Sequence, residues 1–337
     1  MTSGQLQGPL PADEDGFVIG YDIAADGSAT KLHNSDDAAR PDHWRWLHFD
    51  RSHQGTEARL RRFGLTDPRA IDVLLSPETR PSFVRDSDDP KDGATLILRG
   101  VNLNPGAGVH EMLSLRLFVD RTTIITLRKD RIFAINDIIE AFAAGRGPVS
   151  PAAFVEQLVE GLTSRIADAV RVFEDGLDAL EERMTMEGAE DGLRDQLLQL
   201  RRQIIPVRRY VLPQRDALYL LMQEHNSWTT PDENDHMQRA AAETTRLVEA
   251  LDALRERAGL LQEQIASEIA DRMNRNTYAL SIVAAIFLPL GFLTGLLGIN
   301  VGGVPGMETP WAFWAVVALC AFSAALVWWV MKRASLL

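Results

Sequence analysis

The chain has 337 residues, of which 35 are Lys or Arg and 47 are Asp or Glu, for a net charge of -12. That acidic excess argues against a nucleic-acid partner, whose phosphates select a basic face, and it suits cations. A single Cys, Cys320, excludes a disulfide framework and a Cys-rich zinc site.

Residues 1–16 (MTSGQLQGPLPADEDG) are polar and read as a disordered tail. They hold neither an apolar stretch nor a basic leader, so no signal peptide is expected and the large domain is expected to stay in the cytoplasm. Residues 17–131 alternate short apolar runs with turn clusters, as a mixed α/β domain does. Strands are expected at Phe17–Ile23, Trp44–Phe49, Thr95–Leu103, Leu113–Val119 and Thr122–Leu127, which are rich in Val, Ile, Thr and aromatics. Asp120–Arg121 reads as a hairpin turn between the last two. Thr56–Phe63 and Asp67–Leu75 read as short helices, the second with Asp67 as cap and Pro68 at its first position.

Residues 132–235 change texture and predict long cytoplasmic helices: Ile132–Ala144, then Ala152–Met186 and Leu193–Met222, with Pro206 and Pro213 as kinks. Glu224–Asp235 reads as a polar loop. Residues 236–278 form a stalk helix. In it Met237, Ala240, Thr244, Leu247, Leu251, Leu254, Ala258, Leu261 and Ile265 recur at alternating steps of three and four, a heptad seam that demands partner helices. Either other copies of the chain or the preceding helices fit that demand. Nothing breaks the helix before Ala279, so one helix of about 60 residues, roughly 90 Å, should run on into a membrane.

The mean hydropathy of -0.09 is that of a soluble protein, but the average hides position. Every charged residue except Glu308, Lys332 and Arg333 precedes Asn276, so the first 275 residues carry 33 basic and 46 acidic groups, a net of -13. Residues 279–299 and 311–331 are each long enough to cross about 30 Å of hydrocarbon. The loop 300–310 between them is short and rich in Gly and Pro, which makes a hairpin with both chain ends on one side. Arg272, Arg275, Lys332 and Arg333 (in the tail 332–337) flank the spans and the loop has no Lys or Arg, so both termini are cytoplasmic. Trp311, Trp314, Trp328 and Trp329 sit at the two ends of the second span, where interfacial anchors belong.

At the end of the first span stands Gly298-Ile299-Asn300, in the context LPLGFLTGLLGINVGGVPG. Its position in the last turn of the penultimate span, before a short loop, one more span and a basic stub, resembles the CorA superfamily of divalent-cation transporters, whose signature there is Gly-Met-Asn. Ile299 in place of Met resembles the ZntB branch of that superfamily. So do Pro77-Glu78-Thr79-Arg80-Pro81, the stretch RRYVLPQRD from Arg208 to Asp216, and RMNRNTY from Arg272 to Tyr278. The resemblance covers nearly the whole chain beyond residue 16. It implies an α+β cytoplasmic domain, a long stalk helix and a two-helix transmembrane hairpin, assembled as a funnel-shaped homopentamer in a bacterial inner membrane. It further implies Zn2+ as cargo, with Cd2+, Ni2+ and Co2+ as further candidates, H+ as co-ion, and Gly298, Ile299 and Asn300 as the selectivity segment. A magnesium or cobalt channel of the same superfamily is the alternative. No cofactor is expected; the partners are other copies of the chain, membrane lipids and divalent cations.

If five first spans surround an axis, a stripe at helical spacing comprises Asn274, Thr277, Ser281, Ala284, Leu288, Gly291 and Gly295, with Asn300 at the outer mouth. The stripe has no carboxylate, His or Cys, so a doubly charged ion must pass partly hydrated. Leu288 is the candidate for an apolar gate. Glu308 at the mouth, and Glu263, Glu268 and Asp271 on the stalk, are candidates for concentrating cations. Blander readings stand beside these: Asn300 as a helix C-cap, the glycines as close-packing residues, and the carboxylates as solvated surface. The His residues lack helical zinc-ligand spacing. An enzyme is not expected, because NPGAGVH around Gly106 and Gly108 lacks the rest of a phosphate loop and no nucleophile elbow is present. A membrane-tethered scaffold is the remaining class.

Overall fold

The computed structural model describes residues 11–63, 65, 68–77, 80–85, 93–190, 192–223, 228–299 and 309–333. It divides into two compact units, Met1–Gln262 and Glu263–Leu337.

The first unit is built on a seven-stranded mixed sheet of β1 (Phe17–Ala24), β2 (Ala29–Lys31), β3 (His43–Asp50), β4 (Ser82–Arg85), β5 (Ala94–Val101), β6 (Met112–Val119) and β7 (Thr123–Arg128). Their order is β2-β1-β3-β7-β6-β5-β4, with only β3 and β7 parallel. The five longer strands fall where the sequence places them. The two short edge strands, β2 and β4, lack the apolar alternation that marks a strand, because an edge strand gains its place from pairing on one side rather than from burial on two faces. The turn at Asp120 is as expected: its side-chain oxygen accepts from the backbone N–H groups of Thr122 and Thr123, each at 2.7 Å.

Both faces of the sheet are covered, which is why β5 is buried along its whole length. On one face α1 (Thr56–Arg62) and α2 (Pro68–Leu75) bring Leu60, Ile71 and Leu74 against Phe49, Phe118 and Leu127. Asp67, the expected cap of α2, lies outside the described residues. On the other face α3 (Phe133–Ala143) and the start of α4 (Pro151–Glu187) bring Ile138, Phe142, Phe154 and Leu158 against Tyr21, Trp46, Leu98 and Leu117.

Within the sheet His48 is buried, with Nδ1 2.7 Å from Thr126 Oγ1, and Trp46 Nε1 donates to the same hydroxyl at 2.8 Å. Burial, helped by the charge of Arg128, depresses its pKa to about 3. The unfolded chain takes up this proton near pH 6.5. Between these two values the unfolded state binds more protons, so stability falls as pH drops from about 6.5 toward 3. The expected outcome is that His48→Leu flattens the acid limb of the melting curve, removing about 2 kcal/mol of destabilisation between pH 7 and pH 5. Melting temperatures of the detergent-solubilised protein across that range measure it, and a limb as steep as that of the parent chain refutes it.

α4, α5 (Leu193–Gln223) and α6 (Pro231–Leu297) follow. α6 runs without a break over 67 residues, as expected. Its start is earlier than the sequence reading, since the expected loop 224–235 already becomes helix at Pro231. A capping box explains this: Thr230 Oγ1 accepts from the Glu233 backbone N–H, and the Glu233 carboxylate accepts from the Thr230 backbone N–H at 2.8 Å. Glu233 also accepts from the hydroxyl of Ser150, the N-cap of α4, so one carboxylate ties two helix starts together.

Of the nine seam positions on α6, eight are buried and Ala240 is partly covered. Over the span before Glu263 the partner is intramolecular. α4 presents Ile166, Val170, Phe173, Leu177, Leu180 and Met184, and α5 presents Ile204, Val207, Val211, Leu218 and Leu221, all buried at heptad spacing. Polar contacts secure the register: Thr163 and Thr244 hydroxyls lie 3.5 Å apart, Arg208 pairs with Asp252, and Arg257 pairs with Asp178 at 2.6 Å. Pro206 and Pro213 lie inside α5, which continues through both.

Candidate functional site

The first element of the candidate site is the C-terminal part of α6, in the second unit. No Asp, Glu, Lys or Arg occurs from Asn276 to Met307. Large apolar side chains there stand bare: Leu280, Phe287, Leu288 and Phe292 are each about two-thirds or more exposed. The same holds for Trp311 at the head of α7 (Ala312–Arg333) and for Phe313 and Trp314 within it. Water would not tolerate such a surface, whereas hydrocarbon or another copy of the chain would. Both helices are long and apolar enough to cross a membrane. At the end of α7, Lys332 Nζ lies 5.2 Å from the Trp328 ring and the Arg333 guanidinium 5.6 Å from the Trp329 ring. Basic tips folded over amphipathic rings are what an interface between headgroups and water favours.

Exposure along α6 is one-sided. Tyr278, Ile282, Ile286, Pro289, Leu290, Leu293 and Leu297 are half-covered, whereas the seven residues of the expected pore stripe, Asn274, Thr277, Ser281, Ala284, Leu288, Gly291 and Gly295, are all exposed. At 3.6 residues per turn the mean directions of these two stripes differ by about 150°. α7 carries a matching half-covered stripe of small and branched residues: Ala312, Val316, Cys320, Ser323, Ala324, Val327 and Met331. Each helix of the hairpin thus has one shielded side. A Cβ added at Gly291 or Gly295 would meet nothing within 4 Å, so close packing against these glycines is not realised inside one chain.

The polar chemistry of the bare face is specific. Ser281 donates its hydroxyl proton to the Thr277 carbonyl at 2.9 Å, which leaves its oxygen lone pairs free to accept from water. Beside the stripe Thr294 does the same toward the Leu290 carbonyl at 2.9 Å. At the end of α6 the Gly298 backbone N–H donates to Thr294 O at 2.9 Å, and a Cβ at Gly298 would stand 2.9 Å from that same oxygen. This contact is why the motif begins with glycine. Ile299 is exposed. Asn300 and Glu308 lie outside the described residues.

On the stalk Glu263 and Asp271 are exposed, while Glu268 pairs with Arg272 at 3.6 Å. Among the described residues no group of three or more His, Cys, Asp or Glu side chains could hold a metal ion.

The motif stretch from Arg208 to Asp216 has an anchoring role that sequence reasoning missed. The Arg99 guanidinium of β5 stacks 3.9 Å over the Tyr210 ring, and the Arg99 backbone N–H donates to buried Gln214 Oε1 at 2.6 Å. Their spacing of four along α5 points both at the sheet, a signal that a motif match alone does not carry.

Residues 41–333 match the family described as CorA-like Mg2+ transporter protein. The chain is 37% identical over 331 residues to the "Divalent cation transporter CmaX" of Pseudomonas aeruginosa, covering 97% of this chain and 99% of that one. It is 31% identical over 322 residues to the "Zinc transport protein ZntB" of Yersinia enterocolitica, covering 93% and 94% of the two chains. The solved structure of full-length CmaX superposes with a TM-score of 0.83, over 96% of this chain and 98% of that one, at 37% identity.

Proposed function

The chain belongs to the family of CorA-like Mg2+ transporter proteins, and on that premise we propose that it carries divalent cations, zinc foremost, across a bacterial inner membrane through a pore shared by five copies. One observation carries the reading: the stripe from Asn274 to Gly295 lies bare on the side of α6 opposite its shielded face. A single hairpin encloses nothing, and a ring of copies turns these bare faces toward a common axis. Both chain ends lie in the cytoplasm, held by Arg272, Arg275, Lys332 and Arg333 under the positive-inside rule.

The lining dictates how the ion moves. No charged side chain replaces the hydration shell, and stripping a dication without such ligands costs far too much. The cation therefore travels with water, which hydrogen-bonds to the outward lone pairs of Ser281 and Thr277. Five Asn300 amides at the outer mouth accept from its first-shell waters. Zinc rather than magnesium is favoured by Ile299, where the magnesium-type signature has Met.

Neither span contains Asp, Glu or His, so protons have no intramembrane relay of the usual kind. Coupling is assigned to the stalk carboxylates Glu268 and Asp271. Purified protein in liposomes, with zinc and magnesium fluxes followed under imposed pH gradients, tests the whole reading. Zinc flux that rises with an inward proton gradient is expected. Magnesium flux equal to or above zinc flux overturns the cargo, and absence of either flux overturns transport. The Glu268→Gln/Asp271→Asn chain is expected to lose the pH dependence; if it keeps it, coupling lies elsewhere.

A further inference from the structure

Besides their buried stripes, α4 and α5 each carry a second one, set two residues away and so about 200° around the helix. On α4 it reads Asp168, Val172, Asp175, Ala179, Glu182 and Met186, all exposed. On α5 it reads Leu198, Arg202, Ile205, Arg209 and Leu212, with the two leucines half-covered and the others exposed. Both run at alternating steps of three and four, the spacing of a coiled-coil seam. Both also alternate charged with apolar residues, and the charges are opposite. Val172, Met186 and Ile205 are each more than half exposed, so apolar surface stands at heptad positions that nothing in the chain covers fully.

The two stripes match in height. Arg183 Nη1 of α4 donates to Gln196 Oε1 of α5 at 2.7 Å, and a Cβ at Gly176 would stand 3.6 Å from Leu200 Cδ1. The helices therefore run in opposite directions. Counted from these contacts, Asp168 stands level with Arg209, Val172 with Ile205, Asp175 with Arg202 and Ala179 with Leu198, each to within two residues. Acid meets arginine and apolar meets apolar at every one of these levels. Within one chain the partners face away from each other, because α4 and α5 pack through their buried stripes. Asp168 is shared with Arg171 of its own helix, and Arg209 donates to the Tyr210 hydroxyl at 3.1 Å. Asp175 and Arg202 form no ion pair among the described residues. The match ends at Asp216, an acid taken up by Arg215 at 2.7 Å.

We propose that the outer stripe of α4 in one copy seats on the outer stripe of α5 in the next, an antiparallel seam repeated around the ring. This seam presupposes the ring of copies proposed above. Rotation about an axis along α6 keeps every residue at its height, so partners that are level within one chain become facing partners between chains. The contact is head-to-tail, as a closed ring of more than two copies requires. Two α4 stripes would set acid against acid, and two α5 stripes arginine against arginine.

The test is oxidative cross-linking of the full-length protein in membranes, in a Cys320→Ala background that removes the one native thiol. Val172→Cys and Ile205→Cys alter exposed positions only, and a disulfide can join them where their α carbons come within about 7 Å. Chains with both cysteines are expected to give a reducible ladder that reaches five copies. Val172→Cys chains coexpressed with Ile205→Cys chains are expected to stop at dimers, and either alone to stay monomeric. Dimers from one cysteine alone place like helices together and overturn the pairing. Asp175→Arg is expected to slow ladder formation at least about tenfold, and adding Arg202→Asp to restore it, because facing like charges cost far more than facing opposite ones. A rate unmoved by the reversal, or not restored by the second change, overturns the charge match. Ala179→Cys/Leu198→Cys is the second pair. No ladder from either pair, in a protein with the mass of five copies, overturns the seam and leaves the ring standing. A mass of one copy overturns both.

Discussion

Asn300→Ala is expected to leave the assembly intact and to cut zinc flux by about a hundredfold. The magnitude follows from the chemistry of a hydrated dication at a narrow mouth. Each hydrogen bond to a group polarised by charge contributes about 1.5 to 3 kcal/mol, and losing the equivalent of one or two from the entry barrier reaches a hundredfold. The competing reading, in which Asn300 only closes the helix, makes the opposite forecast for a second variant. Glycine is the best residue for a left-handed helix end, so Asn300→Gly keeps a cap while deleting the amide. If the amide is what matters, the Gly variant is as inactive as the Ala variant. If flux returns with Gly, the assignment of Asn300 to the mouth fails. Fluorescent zinc uptake into liposomes, with the oligomer checked by size, distinguishes the two.

Leu288→Ser is expected to raise basal flux, measured without a pH gradient, about tenfold or more. Leu288 is the bulkiest member of the seven-residue stripe and is 74% exposed, with Gly291 and Gly295 in the following turns. In the proposed pentamer a ring of five isobutyl groups repels the water that a hydrated ion needs, and a hydroxyl restores it. Gly291→Leu should act in the other direction, since a Cβ there meets open space in the single chain and, in the proposed ring, the added bulk projects toward the axis. If both variants conduct like the parent, the stripe faces lipid rather than a conduit, and the ring geometry must be redrawn.

The long strands, the hairpin turn at Asp120 and the apolar helices were legible because each is a local pattern. Alternation, turn chemistry and unbroken apolar runs state their structural preference within a few residues. β2 and β4 were not legible, since Ala29–Lys31 and Ser82–Arg85 become strands only through neighbours far along the chain. The start of α6 was readable in principle from Thr230 and Glu233, a capping box hidden by the polar composition around it.

The order of residues was enough to require that a heptad helix find partners, that two uncharged runs avoid water, and that one side of the first run be small and polar-edged. It took the folded chain to establish that α4 and α5 of the same molecule cover the seam before Glu263, that Ile282, Ile286 and Leu293 take the shielded side of the first run, and that the opposite side stays bare. Periodicity says how much surface must be covered and in which direction, whereas the identity of the cover depends on contacts between distant segments, which no local pattern encodes.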